Sequence, residues 1–215
     1  MWPATRNDQH APASRLQLAY PVMELFPSIQ GEGFYQGQPA VFIRLAGCDV
    51  GCVWCDVKDS WDATLHPVLS LEAIGESIRR QTAPICVVTG GEPTLYDLLP
   101  LTDCIHDSGK KAHLETAATA PISGSWDWIC ISPKKFKPPL EQNLPLANEL
   151  KVVIYHPTDL QWAERYAAYV NPQCKRYLQP EWSRRNQIIP LILSYIRQKP
   201  QWEISVQLHK YLHVP

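Results

Sequence analysis

The sequence predicts an α/β fold, an incomplete parallel β/α barrel of about six strands with a reduced set of covering helices. Short runs rich in β-branched residues alternate with segments of helical periodicity, which is the pattern of βαβ units. Two connections, 116–126 and 133–148, are too short or too rich in proline for a full helix. The 20 prolines among 215 residues also favour irregular connections over long helices.

The individual elements follow from these patterns. The predicted strands are the apolar runs at 40–45, 85–89, 111–115, 128–132, 149–155, 176–179 and 203–208. The predicted helices have apolar residues every three to four positions and lie at 70–81, 96–108, 158–170 and 184–198. Ser70 and Thr158 are suited to cap two of these helices, and about three helices should cover the sheet.

Charge and hydropathy exclude several classes of partner. The chain carries 20 Lys plus Arg against 21 Asp plus Glu and has no basic tract, so direct binding of nucleic acid is not expected. It has no apolar run of about 18 residues and no signal peptide, so we expect no membrane segment and a cytoplasmic location. Residues 1–16 are polar and aperiodic and are predicted to be a flexible leader to one domain, 17–215.

Polar or glycine-rich segments follow the carboxyl ends of most predicted strands. They lie at 47–55, 90–93, 115–116, 132–134, 179–181 and 209–210. In α/β barrels and open parallel sheets, ligands bind beyond these strand ends. The sequence therefore predicts a single functional site at one mouth of the barrel.

Three of the seven cysteines, Cys48, Cys52 and Cys55, fall within eight residues. An odd total with this clustering argues against a disulfide framework. The spacing Cys-x3-Cys-x2-Cys on a loop can supply three thiolates to a [4Fe–4S] cluster and leave the fourth iron open to a ligand. We therefore predict a cluster at this loop.

A structural zinc site is the alternative interpretation of the same thiols, and it would make the protein a non-catalytic zinc-binding module. Structural zinc prefers four closed ligands, often from two Cys-x2-Cys knuckles. The sequence has no second knuckle. A fourth ligand could come only from the scattered cysteines, which are Cys86, Cys104, Cys130 and Cys174.

The cysteine segment, with Trp54 before its last cysteine, resembles the signature of the radical S-adenosylmethionine superfamily. Gly90-Gly91-Glu92-Pro93, about 35 residues further on and directly after a predicted strand, resembles that superfamily's second motif. Its glycines permit close backbone approach, and Glu92 can accept from the methionyl ammonium. The resemblance implies a [4Fe–4S] cluster and S-adenosyl-L-methionine as cofactors, with a flavodoxin-like or other one-electron reductant as a partner.

Within the superfamily, the chain from about residue 24 to residue 215 resembles the 7-carboxy-7-deazaguanine synthase family. The motifs that carry this resemblance lie at 26–33, 37–44, 114–116, 132–134, 149–151, 178–180 and 206–210. The resemblance implies a homodimeric lyase that converts 6-carboxy-5,6,7,8-tetrahydropterin to 7-carboxy-7-deazaguanine with loss of ammonia, a step toward queuosine. The nearest rival is a radical activating enzyme that acts on a protein partner, which would not need the segment 30–33.

The resemblance assigns substrate binding to residues whose chemistry suits a carboxylated pterin. Arg44 suits the substrate carboxylate, with a rim salt bridge as its structural alternative. The carboxylate of the last residue, Pro215, can face two N–H donors of the pterin. The whole set is Ile29, Gln30, Gly31, Arg44, Thr89, Glu115, His209 and Pro215. Lys151 is assigned no role, since it is either a site group or a strand-edge charge.

The resemblance also implies a cofactor site in which the radical is generated on the cofactor, so no side chain is assigned a catalytic role. The cluster ligands are Cys48, Cys52 and Cys55. The cofactor-binding residues are Trp54, Cys55, Asp56, Gly91, Glu92, Ser132, Pro133, Lys134 and Gln179.

One position departs from the family's pattern. The family commonly has Asp-Thr after the third cysteine, and the threonine hydroxyl helps bind Mg²⁺. Here the pair is Asp56-Val57. Because Mg²⁺ requires oxygen ligands, we expect weak or absent stimulation by Mg²⁺.

Overall fold

A single nine-stranded sheet runs through the computed structural model, which describes residues 18–215. Its strand order is β3-β1-β2-β4-β5-β6-β7-β8-β9, and the sheet is open at both ends. The strands are β1 Ala19–Ile29, β2 Pro39–Leu45, β3 Val68–Ser70, β4 Ile85–Gly90, β5 Lys111–Thr116, β6 Trp128–Ile131, β7 Glu149–Ile154, β8 Lys175–Pro180 and β9 Glu203–Ile204. The leader predicted over residues 1–16 lies outside the described residues.

The sheet is mostly parallel, as predicted. From β2 through β4 to β9 every neighbouring pair is parallel, whereas β1 pairs antiparallel with β2 and with β3. The predicted incomplete barrel is confirmed, but the sheet has nine strands rather than about six. Seven of them correspond to the predicted runs, and β1 and β3 were not predicted. Two prolines in β1, Pro21 and Pro27, obscure its strand pattern. Pro27 is tolerated because β3 pairs only with Ala19–Pro21, so the edge of β1 beside Pro27 is free among the described strands.

Four predicted helices are present, and a fifth helix replaces part of a predicted strand. The helices are α1 Leu71–Arg79, α2 Leu99–Asp107, α3 Asp159–Ala167, α4 Arg185–Gln198 and α5 Leu208–Leu212. The strand predicted over 203–208 is therefore wrong beyond Ile204. Connection 116–126 has no helix, and 133–148 has only a 3₁₀ helix, Glu141–Leu146. No helix in residues 18–215 is long and apolar enough to cross a membrane.

The two predicted helix caps differ in outcome. Ser70 caps α1, since its hydroxyl accepts from the Ala73 amide at 3.2 Å. Thr158 occupies the N-cap position of α3, but its side chain makes no capping hydrogen bond. Instead, the Asp159 carboxylate accepts from the amides of Tyr155 and His156, each at 2.8 Å. The first helical residue thus organises this helix start.

Alternation along β2 separates the core from the cavity side of the sheet. Ile43 and Leu45 are fully buried in the main core with residues of α1 and α2. Burial of each such side chain stabilises the fold by about 1.5–3 kcal/mol. Because successive side chains point to opposite faces, Phe42 and Arg44 face the concave side that the helices leave uncovered.

Candidate active site

A cavity of about 790 Å³ lies at the carboxyl ends of the parallel strands. Its walls come from the loops after β1, β2, β4, β5, β6 and β8 and from the segment 207–215. All the predicted substrate, cofactor and cluster residues line it except Pro133, which is buried outside the lining. Ser28 in β1 holds the last residue beside the cavity, since its hydroxyl donates to a carboxylate oxygen of Pro215 at 2.6 Å.

The cysteine loop follows β2 and turns sharply at two glycines with positive φ, Gly47 (95°) and Gly51 (71°). Cys48, Cys52 and Cys55 all line the cavity, and all three thiols are free. They pack in a small apolar cluster whose other members are Val50, Trp54 and Ala117. The loop thus presents three unbonded thiols to one wall of the cavity.

The surroundings of Cys48 and Cys52 favour the neutral thiol in the absence of a cation. Burial raises the pKa of Cys48, and burial also raises the pKa of Cys52 to about 11, although the nearby Lys134 opposes this shift. Neighbouring cysteines raise the pKa of both thiols further. Bound iron would supply the positive charge that such a group of thiolates needs, and in a cluster each thiolate can bind a different iron. Within residues 18–215 no three His, Cys, Asp or Glu side chains are grouped so that they could hold a single metal ion. The number and type of the three thiols suit a [4Fe–4S] cluster, in which each thiolate would bind its own iron.

Backbone contacts hold the cysteine loop against β4. The Gly91 amide donates to the Leu45 carbonyl and the Glu92 amide donates to the Gly47 carbonyl, both at 2.8 Å. A Cβ on Gly90 or Gly91 would lie 2.1 Å from a backbone oxygen, that of Leu45 or Gly47 respectively. Only glycine permits this approach.

Glu92 connects the loops that follow β4 and β5. The residue is 1% exposed, and its carboxylate accepts from the Thr94 amide at 3.0 Å, the Thr94 hydroxyl at 2.7 Å, the Ala117 amide at 2.8 Å and the Thr116 hydroxyl. Both carboxylate oxygens therefore already have protein donors. A contact between this carboxylate and a cofactor ammonium stays a prediction. The hydrogen bonds show that Glu92 holds the loops after β4 and β5 together.

Three of the predicted cofactor residues, Ser132, Lys134 and Gln179, form side-chain hydrogen bonds. Lys134 donates to the Ser132 hydroxyl at 2.6 Å and lies 5.4 Å from the centroid of the Trp54 ring. Burial lowers the pKa of Lys134. Gln179, which is buried, accepts from the Ser205 hydroxyl at 2.9 Å. These side chains stand where strands β6 and β8 end, as predicted.

A buried polar network lines a second wall of the cavity and contains two groups to which the sequence assigned no role. Gln30 donates to Glu115 Oε1 at 3.0 Å, and Gln207 donates to Glu32 Oε1 at 2.9 Å. Lys151 forms ion pairs with both carboxylates. Glu32 was present in the motif 30–33, and Lys151 in 149–151, but nothing in a linear sequence indicates that the two residues meet.

Burial and charge compete at this network. Burial by itself would raise the pKa of Glu32, but the Lys151 charge and hydrogen bonds from Lys151 and Gln207 lower it to about 2. Burial would also lower the pKa of Lys151, but Glu115 and Glu32 raise it well above its ordinary value. Glu32 and Lys151 are thus both ionised at neutral pH.

The rim of the cavity includes charged pairs. Arg44 lines the cavity and also pairs with Glu24 at 2.8 Å, so the rim salt bridge considered as its alternative is present. Lys210 pairs with Asp56 at 2.6 Å. His209 packs directly against Gly31, where a Cβ would lie 2.0 Å from its Nδ1.

Sequence reasoning missed aromatic residues of the cavity, because nothing in a sequence distinguishes a tryptophan or tyrosine that lines a cavity from one that packs in the core. Tyr155 and Trp182 line the cavity. The guanidinium groups of Arg184 and Arg185 lie 4.7 Å and 4.1 Å from the centroids of these rings, respectively.

Known proteins resemble the chain over nearly its whole length, although no family model matches it. A 7-carboxy-7-deazaguanine synthase from Flavobacterium psychrophilum is 46% identical over 195 residues, covering 91% of this chain and 92% of that protein. One from Synechocystis sp. is 43% identical, covering 93% and 95%, and one from Escherichia coli is 34% identical, covering 92% and 100%. The crystal structure of QueE from Escherichia coli aligns with a TM-score of 0.80 at 32% identity, covering 89% and 95%.

An open, mostly parallel sheet with a three-cysteine loop at the mouth of its cavity defines the radical S-adenosylmethionine class of enzymes. The relatives then show which family within that class the chain belongs to. The chain belongs to the 7-carboxy-7-deazaguanine synthase family. This confirms the fold class, the family and the enzyme class predicted from the motifs, and it stands against the activating enzyme and the zinc-binding module.

The contact at Gly91 gives a first prediction. Gly91→Ala should lower the free energy of unfolding by about 1–3 kcal/mol, because the new methyl group must displace the Gly47 backbone. Chemical denaturation of the protein without added iron measures this change.

Gly75→Ala in α1 is the matched control. Its Cβ would lie 2.8 Å from Cys104 Sγ and 3.0 Å from Arg79 Nη1, so side chains rather than backbone must shift, and alanine favours helix. The control should lose less stability than Gly91→Ala. Equal stability of Gly91→Ala and the unmodified protein would contradict the importance of this backbone contact.

Proposed function

We propose that this protein converts 6-carboxy-5,6,7,8-tetrahydropterin to 7-carboxy-7-deazaguanine and ammonia, a step in the formation of 7-deazapurines such as queuosine. The proposal rests on one observation: a single cavity is lined both by the three cysteines and by carboxylate, amide and guanidinium groups. These groups belong to Glu32, Glu115, Gln30 and Arg44. Loss of ammonia balances the atoms of substrate and product, so the overall reaction needs no net oxidant.

The first wall supports binding of both cofactors. Cys48, Cys52 and Cys55 would hold a [4Fe–4S] cluster. Cofactor and cluster together would supply the one-electron chemistry that removes a hydrogen atom from the substrate. The residues proposed to bind S-adenosyl-L-methionine are Trp54, Cys55, Asp56, Gly91, Glu92, Ser132, Lys134 and Gln179. Pro133 would act only by shaping the backbone between Ser132 and Lys134, since it does not line the cavity.

The second wall supports recognition of a carboxylated pterin. The Ile29–Gly31 backbone, the Gln30 side chain and Glu115 can pair with the amino-pyrimidinone edge, and Arg44 can pair with the substrate carboxylate. Burial lowers the pKa of His209, so its neutral ring can donate one hydrogen bond and accept another. Thr89 and Pro215 complete the proposed substrate set.

Two further proposals rest on the family resemblance, and a third rests on the cysteines. A flavodoxin-like or other one-electron reductant would start the reaction, and the protein would assemble as a homodimer. A reducing compartment such as the cytoplasm suits a protein whose seven cysteines are all free.

An anaerobic assay tests the function. Reconstituted protein receives a one-electron reductant, S-adenosyl-L-methionine and 6-carboxy-5,6,7,8-tetrahydropterin, and mass spectrometry should detect 7-carboxy-7-deazaguanine. Accumulation of 5′-deoxyadenosine without this product would contradict the proposed substrate but retain the enzyme class.

Variants of the cysteine loop test the cluster separately from activity. Cys48→Ala, Cys52→Ala and Cys55→Ala should each lose most iron and sulfide and the absorbance near 400 nm. Cys104→Ala is the matched control, because its half-buried thiol lies in α2 outside the cavity. A colourless unmodified protein that retains zinc would contradict the cluster proposal.

The residues present do not fit the Mg²⁺ site of the family. Val57 lines the cavity without an oxygen ligand, and the neighbouring Asp56 carboxylate is paired with Lys210 at 2.6 Å. A divalent cation would have to compete with this ammonium group for Asp56. The site therefore supports a reaction without Mg²⁺.

Addition of Mg²⁺ after chelation should therefore change the rate by less than about twofold. Val57→Thr restores a hydroxyl and should increase the response to Mg²⁺. Val68→Thr makes the same chemical change at a 66% exposed position outside the cavity and serves as the control. A large Mg²⁺ stimulation of the unmodified enzyme would refute this interpretation.

A further inference from the structure

Lys151 is a buried cation beneath the proposed substrate residues. It lies in β7, and its side chain is only 5% exposed. Its Nζ contacts Glu32 Oε2 and lies 3.5 Å from Glu115 Oε1. A lysine ammonium is rarely this buried unless it is paired, so the two carboxylates account for its presence.

The ion pairs of Lys151 connect three separate parts of the chain. Glu32 belongs to the loop after β1, Glu115 to β5, and Gln207, which donates to Glu32 at 2.9 Å, to the segment before α5. The loop is tied further, because the Glu32 amide donates to Gln30 Oε1 at 3.0 Å. One ammonium group therefore fixes the relative positions of the groups proposed to recognise the pterin.

The geometry at Glu115 leaves one of its oxygens for a ligand. Gln30 and Lys151 both contact Oε1 of this carboxylate, at 3.0 Å and 3.5 Å. Glu115 also lines the cavity. Its Oε2 is thus the oxygen that can accept an N–H group of a bound molecule.

Other titratable groups surround this network. Glu149 precedes Lys151 on the same strand, Cys130 comes from β6, Lys134 from the loop after β6, and His209 from α5. Lys134 interacts electrostatically with Glu32, but its ammonium group already donates to the Ser132 hydroxyl. Like charges in a buried site disfavour simultaneous ionisation.

We propose that Lys151 is a positioning residue for substrate recognition, whose ammonium holds Glu32 and Glu115 in place and aims Glu115 Oε2 at the amino-pyrimidinone edge of the pterin. This inference rests on the proposed function. It predicts that loss of Lys151 weakens substrate binding more than it slows the bound substrate's reaction.

Lys151→Met tests the inference because methionine keeps most of the side-chain length without the charge. The KM for the pterin should rise by at least about tenfold, since charge-assisted hydrogen bonds are among the strong ones, with a smaller change in kcat. Lys151→Arg should restore much of the affinity. The substrate-induced shift in melting temperature, measured without reductant, should fall in parallel with the rise in KM.

A pH profile separates positioning from a merely structural role. In the unmodified protein Glu32 stays ionised, so its contribution to KM should be flat between about pH 6 and pH 8. In Lys151→Met the burial that raises the pKa of Glu32 is no longer opposed by the Lys151 charge. Its KM should therefore fall as pH rises and Glu32 loses its proton.

Lys110→Met is the matched control for loss of a buried lysine. Lys110 is 9% exposed and donates to the carbonyls of Gln81 and Ala83, each at 2.7 Å, outside the cavity. This variant should lose stability but retain the KM of the unmodified enzyme and its pH profile. If Lys151→Met does not fold, the double variant Lys151→Met/Glu32→Gln removes one charge of each sign and should still show the raised KM.

The outcomes distinguish this inference from the proposed function. If the unmodified enzyme forms no 7-carboxy-7-deazaguanine, the proposed function fails. If it forms product and Lys151→Met, or the double variant when the single variant does not fold, keeps its KM within about twofold, the positioning role is overturned. A raised KM in Lys151→Met that does not change with pH would also overturn it.

Discussion

The backbone contact between the Gly90–Gly91 turn and the start of the cysteine loop is the constraint on which the rest of the site depends. It brings two peptide segments closer than any side chain permits, and it fixes the loop at the carboxyl edge of β4. Glu92 extends the connection to the loop after β5 through its four hydrogen bonds. The wall that carries the thiols is therefore positioned by main-chain geometry.

The second wall of the cavity is positioned by charge. Lys151 joins Glu32 and Glu115 across three segments of the chain, and the short distances within this network leave little freedom for Gln30 and Glu115. Buried ion pairs contribute little net stability when desolvation is counted, so such a network is better explained by the precise placement of polar groups. Steric exclusion at the glycines thus positions the thiol wall, and electrostatic pairing positions the wall that contains Lys151.

Sequence alone could predict the parallel sheet, the helices α1 to α4 and the thiol wall, because these depend on local periodicity and on motifs. It could not predict β1, in which Pro27 is tolerated because the edge beside it is free, nor the end of β9 at Ile204 and the start of α5 at Leu208. Sequence alone also could not predict the hydrogen bonds of Glu92 or the ion pairs of Lys151, since both depend on contacts between distant segments. Tertiary contacts of this kind leave no periodic signal.

The central claim is that both walls act on one substrate in one cavity, so that the proposed reaction would return the hydrogen atom removed from the substrate to the cofactor. The ratio of 7-carboxy-7-deazaguanine to 5′-deoxyadenosine under multiple turnover tests it most directly. We expect many molecules of product for each 5′-deoxyadenosine, because the family resemblance implies that the cofactor is regenerated at each turnover. A ratio of one or less would contradict the account, since the cofactor would then be consumed rather than restored within the cavity.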